Sequence, residues 1–372
     1  MYKKLTKEEK QKKSDDLSRE IADKFIKAIQ ENKAPWQKGW SPAVNKADYN
    51  MFTMGNNSSK TYQGFNAILT CLTRINNGSD DPRWFTFGEL VNYNKSLKNE
   101  KDKIFTKGKM IPIKFYNMCY LDENGKRMDP KKYSSKELEE KCSKKFPVLT
   151  SYMVANANQT FKYSYDENGK PLIDESGKQK TEPGFTFTLT KEQIEKAEKE
   201  FKPKCKIEEI IKNTGVKVIN DTNVQCFFDP KRDEIHVPQK ERFSSASEYY
   251  QTLAHELIHW AGDKRRLDRE EAEQYSKDKT MRAKEELVAE IGCYLLCRDA
   301  ELYYEPNDNN KAYVQSWCSI IDKKNDAIEE ACKKAQKASS YIMDFTRKKN
   351  NKKSNEQEIV ITKEDDRAVK KR

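Results

Sequence analysis

The chain has 372 residues, a net charge of +11, and equal shares, 35% each, of charged and hydrophobic residues. That length can bury a sizeable core and suits two domains, while no apolar run approaches the roughly 20 residues of a membrane-spanning helix. The polar N-terminus has no apolar signal core, and the nine cysteines are scattered without a C-x-x-C pair, so a cytoplasmic protein with reduced thiols is expected.

Charge divides the chain. Residues 1–165 hold 31 basic against 19 acidic side chains, a balance of +12; residues 166–346 come to −6 and the tail 347–372 to +5. The front segment therefore carries a charge suited to a polyanion. It opens with a helix over residues 4–33, whose Leu17, Ile21, Phe25 and Ile29 form one apolar stripe and which Pro35 ends. Two polar loops follow. One holds Trp36, Lys38 and Trp40; the other holds Lys60 and Tyr62 and leads to Asn66, where a helix with Ile68, Leu69 and Leu72 is expected to start. Asp81–Leu90 reads as a short aromatic strand entering a helix, with Trp84 a core residue. Met110–Tyr116 and Leu149–Ala155 read as strands around a lysine-rich insertion over 122–146. Cations along a phosphate chain with aromatics stacking on bases suit single-stranded nucleic acid, so Trp36, Lys38, Trp40, Lys60, Tyr62 and Asn66 are the candidate DNA-binding residues. A duplex binder is disfavoured, because no helix-turn-helix or finger pattern is present.

Asp166–Gly169 and Ser176–Gly177 are turn signals, marking 166–189 as a linker or hairpin loop. A helix from Lys191 to Thr214 should end at Gly215, and strands are expected at Val216–Ile219, Val224–Phe228 and Glu234–Val237. His236, on the last of them, is read as a non-ligand.

Then comes His255-Glu256-Leu257-Ile258-His259, an H-E-x-x-H motif that uses two of the three histidines in the chain. Four residues apart on a helix, both imidazoles reach one metal ion, and Glu256 lies where it can take a proton from water. Ser245 and Glu248 form a capping-box pair at the helix start, and Gly262 stands at the expected C-cap. Zinc is the expected metal, with another divalent ion such as Mn2+ as the alternative. A third ligand should be a carboxylate. Helical spacing puts Glu286, Glu290, Cys293 and Cys297 on one stripe, so Glu286 is assigned as ligand, Glu290 as the acceptor for the outer N–H of a ligand histidine, and Glu285 as the fallback ligand. Arg266 and Arg269 could each hold a substrate carboxylate or a structural acid. Helices are expected over 284–302 and 312–345, followed by a disordered tail.

These stretches resemble the ArdC-type antirestriction proteins of plasmids, phages and conjugative elements. The resemblance is carried by Pro35-Trp36 with Gly39-Trp40, Thr61–Asn66, Trp84–Phe87, Asn156–Gln159, Tyr250–Trp260, Arg266–Arg269, Glu285–Glu290 and Ser316-Trp317, and covers about residues 15–345. It implies an N-terminal single-stranded-DNA-binding domain, a zincin-like metallopeptidase domain, and protection of incoming DNA from restriction. One departure is Asp263, where the family often has a histidine after the glycine; any catalytic help from that histidine is missing here.

The expected architecture is thus α+β in both domains: a DNA-binding domain over 1–165, a linker over 166–189, a zincin-like peptidase domain over 190–346 and the basic tail 347–372. His255, His259 and Glu286 would hold the metal, Glu256 would act as general base, and the partners would be single-stranded DNA and a protein or peptide, with no membrane. The competing reading is a DNA-binding protein whose metal is structural, closed by a fourth ligand such as Cys293.

Overall fold

The computed structural model describes residues 7–37, 47–52, 61–79, 81–186, 206–221, 225–302 and 313–346. The elements begin with α1 (Lys7–Gln30), β1 (Tyr49–Asn50), α2 (Gly64–Asn76), β2 (Arg83–Thr86), α3 (Phe87–Ser96), β3 (Phe105–Thr106), β4 (Ile111–Leu121) and β5 (Arg127–Met128). Next are α4 (Ser135–Lys141), β6 (Lys144–Asn156), β7 (Thr160–Tyr163), β8 (Thr181–Pro183), α5 (Lys206–Thr214), β9 (Lys217–Asp221), β10 (Phe227–Asp229) and β11 (Glu234–Pro238). The last are α6 (Ala246–Gly262), α7 (Glu270–Glu273), α8 (Lys279–Asp299), α9 (Val314–Lys323) and α10 (residues 327–346). The class is α+β. Among the described residues no helix is long and apolar enough to cross a membrane.

The chain forms two compact units that are not consecutive segments. One gathers Met1–Ala47, Gln63–Asn77 and Leu189–Arg372; the other gathers Asp48–Tyr62 and Gly78–Thr188. The second unit is built on a five-stranded mixed sheet in the order β1-β2-β6-β4-β5. A capping box between Thr86 and Glu89 turns β2 directly into α3. Asn156, fully buried, donates to the carbonyls of Asp81 (2.8 Å) and Arg83 (3.0 Å), pinning β6 to the entry of β2. Trp84 is buried in this sheet, as its sequence context predicts. The lysine-rich stretch connects β4 to β6 and contains β5 and α4. Both strands run longer than the alternation alone suggests. The tight turns expected at Asp166–Gly169 and Ser176–Gly177 form, with Asp166 and Asp174 each accepting two backbone N–H groups.

The first unit is mostly helical. Ile21, Phe25 and Ile29 of α1 are buried, as the stripe predicts. A three-stranded sheet, order β10-β11-β9, precedes α6; β11 is its central strand, antiparallel to β10 and parallel to β9. The last helical stretch breaks at 324–326 into α9 and α10, where one helix was expected. Lys324-Asn325-Asp326 interrupts it, and Arg19 Nη1 of α1 donates to Asn325 Oδ1 (3.4 Å) and the Asp322 carbonyl (3.1 Å). The expected tail 347–372 and the expected helix over 191–205 lie outside the described residues.

Candidate metal centre

Helix α6 starts where Ser245 accepts the Glu248 amide at 3.0 Å. The reciprocal half of the expected capping box shifts by one residue, because Glu248 accepts from the Ser244 amide at 2.8 Å. At the other end, Gly262 is not a left-handed cap. It is the last helical residue, with Asp263 as the cap, and a Cβ there would run into the Arg269 guanidinium. Glycine is needed for that close approach. Gly292 serves α8 in the same way, since a Cβ there would stand 2.9 Å from Ile258 of α6. The two helices therefore pack closely enough for their polar side chains to meet.

They meet at one cluster. The Nε2 atoms of His255 and His259 are 3.1 Å apart, and Glu286 places carboxylate oxygens 3.5 Å from His255 Nε2 and 3.8 Å from His259 Nε2. Each of the three residues offers one donor atom, all within 4.8 Å of one another. Two imidazole nitrogens and a carboxylate oxygen are a donor set that a divalent ion takes readily. Behind them the outer nitrogens are held in turn: His255 Nδ1 lies 3.3 Å from Glu290 Oε1, and His259 Nδ1 lies 3.0 Å from Glu285 Oε1. Carboxylates on the outer nitrogens turn Nε2 of both rings toward a common point, so the residues fit a metal. Glu256, also buried, is close enough for its charge to act on His255.

Glu285, the fallback ligand, does not join the donor set. It is completely buried and paired with the Arg269 guanidinium, whose Nε donates to it at 3.0 Å. Arg269 Nη2 also donates to the Ile258 carbonyl at 2.7 Å. Arg269 therefore holds a structural acid. Arg266 holds Asp233, donates to the Trp260 carbonyl and lies over the Trp260 ring at 4.1 Å. Asp263, itself buried, accepts the Arg265 amide at 2.9 Å and pairs with its guanidinium, which holds the turn after α6. His236 stacks on Phe227 and faces Glu234 at 3.1 Å, away from the cluster's donor set. Cys293 packs its thiol against the Gln251 carbonyl (3.4 Å) and Cys297 (3.9 Å).

Electrostatics bind the cluster together. Burial opposes charge on His255, but Glu290 and Glu286 outweigh it and hold the imidazole up, to about 10. His259 is raised against its burial by Glu285 and Glu286. Burial would raise Glu286, yet the two histidines bring it down to about 2. Glu285 is likewise lowered, against burial, by Arg269 and His259. Tyr275, a residue the sequence did not single out, donates its hydroxyl to Glu286, and its ring meets His259 edge-on at 5.8 Å. Burial and the Glu286 charge keep that phenol protonated. A cleft lined by Ser244, Thr252, His255, Glu290 and Cys293 opens on the Glu290 side of His255.

The candidate DNA residues fare differently. Trp36 is fully buried and stacks on Phe25 of α1 at 6.4 Å. Tyr62 is 3% exposed and packs on Phe115. Asn66 is buried within α2, which starts two residues earlier than expected, at Gly64. These three are core residues, a correction to their reading as surface contacts. Lys38, Trp40 and Lys60 lie outside the described residues.

Comparison with known proteins agrees with this architecture. Residues 15–154 match the N-terminal domain of the anti-restriction factor ArdC, and residues 205–334 match a zincin-like metallopeptidase domain. An Escherichia coli protein named DNA primase TraC is 26% identical over 335 residues, covering 88% of this chain; the chain spans only 27% of that relative. The metal-free structure of the antirestriction ArdC protein from plasmid R388 superposes with a TM-score of 0.59 at 24% identity, covering 90% of this chain and 98% of the other. Its Mn(II)-bound structure gives 0.56 at 23% identity, covering 88% and 97%. These two likenesses concern the fold.

Proposed function

The chain is an ArdC-type antirestriction protein, and from that premise we propose that it binds single-stranded DNA through its front half and hydrolyses a peptide bond at the cluster on α6 and α8. The observation that carries the catalytic part is the convergence of His255, His259 and Glu286 within 4.8 Å beside the buried Glu256. A divalent ion held by those three side chains would supply Lewis acidity toward a scissile carbonyl. Zinc suits the donor set; Mn2+ is the alternative, and a Mn(II)-bound ArdC structure supports it. Glu256 takes the proton of the attacking water on its carboxylate and returns it to the leaving amine. Glu290 and Glu285 keep both rings aimed while the proton moves.

The DNA part rests on the +12 charge of residues 1–165 and on the matched N-terminal domain. Coating an incoming strand while cutting a protein that would attack it is a coherent antirestriction role. The competing reading, a protective binder with a structural metal, needs a fourth protein ligand. Cys293, the candidate for that role, has its thiol on the Gln251 carbonyl.

Glu256→Gln separates the readings. Metal content by mass spectrometry and DNA binding should be unchanged, while cleavage of casein or of the chain itself falls by at least 100-fold. Retained cleavage in Glu256→Gln would sink the general-base role. A wild type that holds metal and DNA but cleaves none of the proteins offered would move the structural reading ahead.

A further inference from the structure

The long antiparallel pair β4–β6 is registered over eleven residue pairs, from Ile111 opposite Val154 to Leu121 opposite Lys144. Its beginning is core: Ile111, Ile113 and Val154 are buried. Farther along, the same face comes out into solvent carrying Phe115 and Tyr152, which are 41% and 42% exposed. They are diagonal cross-strand neighbours, with ring centroids 6.1 Å apart, and Asn117 Nδ2 reaches the Tyr152 hydroxyl at 3.4 Å. The opposite face exposes Met118, Leu149 and Met153.

Exposed aromatic and apolar side chains on a ribbon need a reason. The charge pattern supplies one. The 24 residues of these two strands contain Lys114, Lys144 and Lys145 and not one acid, in a chain with 60 Asp and Glu among 372 residues. An apolar face for an uncharged protein partner has no use for a strictly basic margin. A polymer that alternates flat apolar rings with negative charges does, and single-stranded nucleic acid is that polymer. A duplex hides its ring faces, and a ribbon lying in its groove reads base edges through hydrogen-bonding side chains, whereas Phe115 offers none.

We propose that Phe115 and Tyr152 on the β4–β6 ribbon are a stacking platform for unpaired bases, with Lys144, on the same face at the far end of the ribbon, reaching a phosphate farther along the strand, and with Lys114 and Lys145 adding positive charge from the other face. This rests on the reading of the front half as a single-strand binder. It moves the contact from the loop aromatics Trp36 and Tyr62, which are core, to a sheet surface.

The test is fluorescence anisotropy of the full chain with a labelled 20-nucleotide oligo-dT and a 20-base-pair duplex, at two salt concentrations. Phe115→Ala/Tyr152→Ala should weaken oligo-dT binding about 10- to 100-fold and leave the salt slope unchanged, while Phe115→Tyr/Tyr152→Phe keeps wild-type affinity. Lys144→Ala should lower the salt slope by about one, and Lys145→Ala, on the opposite face, should lower it less. Because Phe115 also packs on Tyr62, Tyr152→Ala alone is the folding-safe variant; it should retain the wild-type melting curve and lose at least several-fold in affinity. If wild type binds oligo-dT and Tyr152→Ala and the folded double variant bind equally well, the platform is overturned while the single-strand reading stands. If duplex binding falls as much as oligo-dT binding, stacking is overturned in favour of groove contact. If wild type binds no single strand, the front-half reading fails and takes the platform with it.

Discussion

Two regions of this chain posed the same question to a reader of its sequence, and only one answered in local terms. On α6, His255 and His259 had to share a face because the helix period puts them there, and the cluster forms with Glu286 and Glu290 as spacing predicts. Around Trp36 and Tyr62, polar neighbours suggested exposure, and both side chains are buried. What differs is the range of the determinant. A motif on one regular element carries its geometry with it, whereas the burial of an aromatic in an irregular loop is set by what packs on it from elsewhere, here Phe25 for Trp36 and Phe115 for Tyr62.

The strongest challenge to that contrast is Arg269→Ala. The metal centre is not purely local if its second layer depends on a residue outside both helices. Removing the guanidinium leaves the fully buried Glu285 with only His259 facing it, and losing the charged partner of a buried pair costs up to about 3–5 kcal/mol. Urea denaturation of the metal-free protein should record that loss. A change under 1 kcal/mol would mean that Arg269 is not a support of the centre.

Trp36→Ala tests the other side with an effect of similar size. As a core residue it should cost about 3–5 kcal/mol in stability. With folded protein at low temperature, affinity for a single strand should be unchanged. Unchanged stability with lost DNA binding would restore the surface reading and refute the burial.

These variants also mark what the sequence made legible. The α+β class, the strands around α6, the H-E-x-x-H helix and the acid stripe on α8 all follow from periodicity. Glu285 was ambiguous because it sits one residue from Glu286, about 100° around the helix, and only Arg269 and His259 decide its role. Gly262 looked like a cap because glycine usually ends helices there; its real constraint, the Arg269 guanidinium, is seven residues away. Tyr275 carried no signal at all, since no spacing ties it to Glu286. The β4–β6 ribbon did carry one, the absence of acids along two aromatic strands, but burial in β2 and exposure in β4 look alike in composition.

A smaller effect sharpens the comparison most. In the metal-free cluster Glu290 and Glu286 hold the His255 proton on, so below about pH 10 a metal must displace it, and affinity should rise with pH. Glu290→Gln weakens the hold of His255 on a metal, by about 10- to 100-fold, or 1.4–2.7 kcal/mol, when no proton competes. It also weakens the hold on the proton. The two losses offset each other at low pH, so the affinity deficit should grow steadily as the pH is raised from about 6 to about 9. Competition titrations with a zinc chelator across that range read it directly. A deficit that is the same at every pH would show that Glu290 does not act through the His255 imidazole, and the second layer would then be a packing feature like Trp36 and not part of the centre's chemistry.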